Sequence, residues 1–276
     1  MAKVDILNYI SDSNILRSTY DTDTNELDIT DVPQNLNSII TLGGGGGGGR
    51  WTDDDIASRN YTGDITIDGN TIVSYAFYSS GITSVSAPNY SGTIPEYAFQ
   101  NCSSLQTVDM PSLYGLSRFV FADCTSLSSI SVPNLQVINS EKIFENCSSL
   151  EVIVLPKATS IGGGNVFKNC TSLEKVDIGT SVSSMANNTF LGCAAMNTLI
   201  IRKNGVPTIW STNVFDGTPF ASDGIGGTLY VPSAQISNYQ SATNWSAILG
   251  YANNQIKAIE GSQYETEYAD GTPIGG

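Results

Sequence analysis

FQNCSSLQTVDMP (Phe99–Pro111), FENCSSLEVIVLP (Phe144–Pro156) and FKNCTSLEKVDIG (Phe167–Gly179) are three versions of one pattern. The cysteines mark its period. They stand at Cys102, Cys124, Cys147, Cys170 and Cys193, in steps of 22, 23, 23 and 23. Three residues before each comes Phe99, Phe121, Phe144, Phe167 or Phe190, and Phe77 and Phe215 extend that column at its two ends. Three residues after each comes Leu105, Leu127, Leu150, Leu173 or Met196. Six after stands Val108, Ile130, Ile153, Val176 or Leu199, and eight after stands Met110, Val132, Leu155, Ile178 or Ile201. Pro111, Pro133 and Pro156 take the next slot, with Gly179 in their place one coil later.

Apolar columns held in register at this spacing mark a solenoid. A unit this small cannot bury its own apolar face, so stacked units share one continuous core. The alternation around Thr107-Val108-Asp109-Met110 predicts a short strand in each coil, with Val108 and Met110 inward and Thr107 and Asp109 outward. Proline ends the strand because it cannot donate to the ladder. The predicted fold is mainly β: a solenoid of about six to seven coils of 22–23 residues, a small β-rich N-terminal module and an α/β C-terminal cap.

The F-x-x-C-x-x-L core followed by a strand and a proline resembles the BspA-type leucine-rich repeat, over about Ile72 to Glu260. The resemblance implies a curved solenoid with a strand-lined face. It also implies a role in adhesion, recognition or assembly, because members are frequently surface or virion proteins. The family is not tied to one ligand, so it carries no binding residues onto this chain.

Composition narrows the function. The net charge of −14 argues against nucleic acid and anionic membranes, both of which need a basic surface. No apolar run reaches the ~20 residues that span a bilayer. MAKVDILNYI (Met1–Ile10) lacks the apolar run of a signal peptide, so the expectation is a chain made in the cytoplasm. Histidine is absent, which removes the commonest acid-base residue, and no G-x-S-x-G elbow occurs. No catalytic residue, cofactor or metal site is predicted. One cysteine per coil, without CxxC, reads as a column of reduced, buried thiols.

The ends depart from the repeat. Residues 1–42 hold seven acidic and two basic residues, and two alternating runs around Thr22–Asn25 suggest a hairpin. Asp21-x-Asp23-x-Asn25 begins like a calcium loop, but Glu26 stands where glycine is required and Val32 where the closing glutamate belongs, so it reads as a polar turn. Gly43–Gly49 reads as a polyglycine linker, since Arg50-Trp51 follows where a phosphate loop needs Lys-Ser/Thr. Asp53-Asp54-Asp55 reads as a helix start, with Thr52 as its cap, or as a charge run in solvent. Residues 50–205 form the solenoid with its lead-in and 206–260 the cap. In the cap, GTLYVP predicts a last strand, Ser233–Leu249 a helix with Ser233 as its cap, and Gln255–Ile259 a final strand. Trp51, Trp210 and Trp245 are expected to pack at the ends. Residues 261–276 are an acidic tail, extended or paired with another subunit.

The candidate binding face is the outward side of the strands: Thr107, Asp109, Ser129, Ser131, Val152, Val154, Lys175, Asp177, Thr198 and Ile200. Together these features point to a non-enzymatic virion protein, a phage fibre, decoration or host-recognition component. In that reading residues 1–42 hold other virion proteins, and the solenoid meets a host surface protein or glycan. The chain works as an oligomer or within a larger assembly. The alternative is a bacterial surface adhesin or interaction scaffold, located at the cell surface.

Overall fold

The computed structural model describes the backbone of residues 3–7, 17–21, 26–29 and 40–43, and the complete residues 62–67, 72, 74–221, 224–250 and 254–274. Most of the polyglycine run (44–49), Trp51, Thr52 and the Asp53–Asp55 cluster lie outside the described residues.

Strands β1 (Lys3–Leu7), β2 (Arg17–Asp21) and β3 (Glu26–Ile29) form an antiparallel sheet. Asp21 faces Glu26, so β2 and β3 flank the turn expected at 22–25. Strand β4 (Ile40–Gly43) pairs antiparallel with β5 (Thr62–Ile67) and closes the edge of the solenoid's own sheet.

The solenoid runs about eight turns. Its strands are β6 (Gly81–Ser86), β7 (Thr93–Ile94), β8 (Thr107–Asp109), β9 (Gly115–Leu116), β10 (Ser129–Ser131) and β11 (Val152–Leu155). They continue with β12 (Lys175–Ile178), β13 (Ser184–Met185), β14 (Thr198–Ile201), β15 (Thr208–Ile209), β16 (Thr228–Val231) and β17 (Gln255–Ala258). One strand per coil lines the main face. Parallel pairing runs through β5-β6-β8-β10 and again through β11-β12-β14-β16-β17. The register is that of the columns: Val108 faces Ile130, and Ile153 faces Val176, which faces Leu199. Among the described residues no pairing joins β10 to β11, so the main ladder divides into two sheets. A thinner parallel ladder runs elsewhere on the coils through β7-β9 and β13-β15, with isolated bridges between them.

The columns are the core. Phe77, Phe99, Phe121, Phe144, Phe167, Phe190 and Phe215 stack in one file, with centroids 5.0 to 5.6 Å apart and planes within 17° of parallel. All five cysteines are free and buried. Each thiol donates to the carbonyl of a phenylalanine in the preceding turns, as Cys124 does to Phe99 (3.1 Å) and Cys193 to Phe167 (3.0 Å). Burial raises the thiols of Cys124, Cys147, Cys170 and Cys193 above the ordinary value, which keeps them protonated donors. Cys102 ends the thiol column, and the neighbouring Cys124 and Ser80 side chains hold it lower. Ile130 is the weakest of the inward positions, only half-buried, beside the break between the two sheets.

The cap differs from the single helix expected. Ser233–Gln235 is a 3₁₀ turn, followed by α1 (Ile236–Ser241) and α2 (Trp245–Leu249). Extended Ala242 and left-handed Asn244 separate the two helices. Ser233 lies inside the 3₁₀ turn rather than capping a helix, and its N–H donates to Glu260. Trp245 seals the end of the phenylalanine file, 5.9 Å from Phe215, with its indole N–H on the Pro207 carbonyl at 2.8 Å. Trp210 is exposed instead.

Candidate binding face

The outward strand positions form two rows. Thr107 faces Ser129 and Asp109 faces Ser131 on one sheet. Val152, Lys175 and Thr198 form the first row of the other, and Val154, Asp177 and Ile200 the second. Tyr230 of β16 extends the second row beyond Ile200. Sequence spacing therefore brings all ten residues onto strands of one side, divided at the β10/β11 break.

The two parts differ in access. Thr107, Asp109, Ser129 and Ser131 are exposed. Small hydroxyls continue this polar part toward the N-terminal end, where Thr83 and Ser84 donate to Asp64 at 2.8 and 2.7 Å. Those bonds, Ser84 first, hold the Asp64 carboxyl below its ordinary value. On the other sheet Val152, Val154, Lys175 and Thr198 are half-buried, while Asp177 and Ile200 are completely buried. The expectation of solvent-facing side chains does not hold for those two.

The cause is the segment 261–274, which folds back across the strands instead of extending away. Arg202 forms a fork on Asp177, Nε to Oδ1 at 2.8 Å and Nη2 to Oδ2 at 2.7 Å. The same guanidinium donates to the carbonyls of Tyr264 (2.7 Å) and Glu267 (2.8 Å). The N–H of Ala269 donates to Asp177 Oδ2 at 2.9 Å. Tyr264 meets Tyr230 edge-on at 4.8 Å and packs with Ile200 and Ile259. Tyr268 lies over the Arg202 guanidinium at 4.9 Å. Burial pushes the Asp177 carboxyl up, against the Arg202 and Ala269 bonds that favour its charged form. Beyond Tyr268, Asp270, Thr272 and Pro273 roof a cleft of about 490 Å³ whose floor spans the β10/β11 break, from Ile130–Asn134 to Val154, Pro156 and Lys157.

Sequence reasoning passes over Arg202, the residue that organises this side. Its signal is positional, because Arg202 occupies the slot that Pro111, Pro133, Pro156 and Gly179 fill in other coils. Two further columns go unread. The residue before each cysteine (Asn101, Asp123, Asn146, Asn169 and Gly192) has φ between 61° and 76°. Asparagine, aspartate and glycine tolerate that left-handed turn. Their side chains also link coils, as Asn169 donates to Asn146 (3.0 Å) and Asn146 to Asp123 (2.7 Å). Four residues earlier a second left-handed column reads Tyr75, Tyr97, Phe119, Lys142, Asn165 and Asn188. Its first three rings stack at 4.6 and 5.1 Å, and the Lys142 ammonium sits 5.3 Å from the Phe119 ring.

Among the described residues no helix is long and apolar enough to cross a membrane. A family model for the "BspA type Leucine rich repeat region" matches residues 70–218, in six copies. A search of curated proteins returns no match. Solved structures similar to this chain include a leucine rich cell surface protein from Faecalibacterium prausnitzii, at 19% identity and a TM-score of 0.45. That alignment covers 63% of this chain and 66% of the other, just under two thirds of its length. A leucine rich repeat protein of T. pallidum aligns at 21% identity and a TM-score of 0.45, over 70% of this chain and 90% of its own.

Proposed function

The chain belongs to the BspA-type leucine-rich repeat family, and from that premise we propose that it is a non-enzymatic binding protein, a surface adhesin or interaction scaffold that offers its strand face to a partner protein. The observation that carries this reading is the open part of the face. Thr107, Asp109, Ser129 and Ser131 stand exposed in two aligned rows on strands whose inward neighbours Val108, Met110 and Val132 are locked in the core. A rigid backbone beneath exposed polar side chains presents a fixed pattern at low ordering cost to a partner. The half-buried Val154 at the cleft, and Val152 on the same strand, add apolar contact beside that polar field.

The virion role remains a second, narrower reading. It draws on the antiparallel β1–β3 sheet, which among the described residues shares no strand pairing with the solenoid, as a separate assembly module. Mass spectrometry of purified particles tests it, and absence of the chain from them removes it.

Site-specific photo-crosslinking tests the binding face. A crosslinking residue at Ser131 is expected to trap one reproducible partner from source-cell extract, and the same residue at exposed Ser183, beside β13, is not. Asp109→Lys is expected to abolish the Ser131 product. Equal trapping from both positions, or a product indifferent to Asp109→Lys, would overturn the assignment.

A further inference from the structure

The segment 261–274 shows what the covered part of the strand face recognises. Its anchors are mostly backbone: two carbonyls, of Tyr264 and Glu267, on Arg202, and one N–H, of Ala269, on Asp177. The side chains of Glu265, Thr266 and Glu267 are exposed. Only two rings add specificity, Tyr264 against Tyr230 and Tyr268 over Arg202. A buried carboxylate–guanidinium pair that presents an acceptor and free donors is a receptor for the two halves of a peptide group. Arg202 and Asp177 are 25 residues apart and lie on neighbouring coils, so the solenoid holds the pair whatever lies across it.

The same segment contributes nothing to the main core. That core closes without it, on Phe215, Tyr239, Trp245 and Ile248, whereas Tyr264 belongs to a small separate cluster with Ile200 and Ile259. The turn that leads into the segment is open as well. A Cβ on Gly261 would meet nothing within 4 Å.

We propose that the strand face around Arg202 and Asp177 is a docking site for a short, turn-forming polypeptide segment carrying two aromatic residues four positions apart, filled here in cis by residues 261–274, which fold as a 3₁₀ turn (Gln263–Glu265) and a tight turn bridged from Glu267 to Pro273, and opened when a partner's segment of the same chemistry displaces them. This inference rests on the reading of the chain as a binding protein and names the partner class for the covered part of its face. The intramolecular copy acts as a tethered competitor. Its effective concentration, of millimolar order for a short linker, sets the affinity a partner must exceed.

The test uses the full chain with a protease site inserted at Gly261, cut after folding. The probe is a fluorescent synthetic peptide of residues 261–276, followed by anisotropy. The cut chain, washed free of its own segment, is expected to bind the probe at least about tenfold more tightly than the uncut chain. Arg202→Lys, which keeps the charge and loses the fork, is expected to weaken binding to the cut chain by at least about tenfold, as is Tyr264→Ala in the peptide. Equal binding to cut and uncut chains overturns the proposal, and so does a cut segment that never exchanges or a cut chain that loses its fold. A dimer of the uncut chain in light scattering would give the site to a second copy and overturn the partner assignment. Crosslinking repeated from exposed Thr107, which does not line the cleft roofed by the segment, reports on the open part of the face alone, so failure of peptide exchange and failure of the proposed function are read separately.

Discussion

Asp109 and Asp177 hold the same slot of the repeat, seven residues after Cys102 and Cys170. Both lie on the outward side of a parallel strand, one column from a buried valine. Asp109 is exposed, whereas Asp177 is sealed from solvent between Arg202 and the Ala269 N–H. The backbone does not make the difference. It comes from one arginine in the following coil and a segment more than 80 residues further along the chain. In a solenoid the repeat fixes where a side chain points, and non-repeating residues decide what it meets.

The two parts of the solenoid share one core, and the largest expected effects test that equality. Phe121→Ala and Phe167→Ala each remove a fully buried ring with a stacked neighbour on both sides. Each is expected to cost roughly 4 kcal/mol, read from the denaturant midpoint. A difference of several-fold between them would break the view that the core is uniform while only the face changes. Gly179→Ala comes next. Its new Cβ would lie 1.8 Å from the Pro156 carbonyl oxygen, a backbone atom that cannot step aside. An overpacking cost of roughly 3 kcal/mol is expected, whereas Pro133→Ala in the same, exposed slot should leave stability nearly unchanged.

Asp177→Asn against Asp109→Asn is the direct comparison. The first removes the charge opposite a largely buried guanidinium and is expected to cost roughly 3 kcal/mol, together with the protection of 261–274 from protease. The second should be silent by both measures. Full protease protection in Asp177→Asn would mean that the segment is held by its rings and not by the fork.

What could be read from the sequence follows from this division. The phenylalanine file, the thiol column and the strand register were legible because each recurs every 22 or 23 residues, and recurrence is a statement about stacking. The outward rows were legible as geometry for the same reason. The covering of Asp177 and Ile200 was not, because it depends on Arg202, Tyr264 and Ala269, none of which repeats. A buried Ile200 among the outward positions was a hint, since an apolar residue there needs a cover. The break between β10 and β11 has no columnar signal at all, for Ile130 keeps the aliphatic character of its column. The two short helices of the cap turn on Asn244 in a left-handed conformation, a local choice that apolar spacing does not encode.

The smallest expected effect lies in the left-handed column that begins as rings and ends as asparagines. Phe119 adopts φ 58°, a conformation that costs a bulky side chain about 1–2 kcal/mol and asparagine less. Its ring stacks on Tyr97 at 5.1 Å and carries Lys142 at 5.3 Å, contacts worth about 1 kcal/mol each. In Phe119→Asn these terms oppose one another, so a net change within about 1 kcal/mol is expected. Asn165→Phe meets the same backbone, φ 61°, with Lys142 and Asn188 in the adjacent slots and no ring to stack on. It should destabilise by about 1 kcal/mol. Denaturant midpoints for the two variants separate the causes: if Asn165→Phe is tolerated as well as Phe119→Asn, the backbone penalty is small and the aromatic file is kept for its exposed edges. If only the phenylalanine in the second part is costly, stacking is what allows Tyr75, Tyr97 and Phe119 to hold a turn that the later coils give to asparagine.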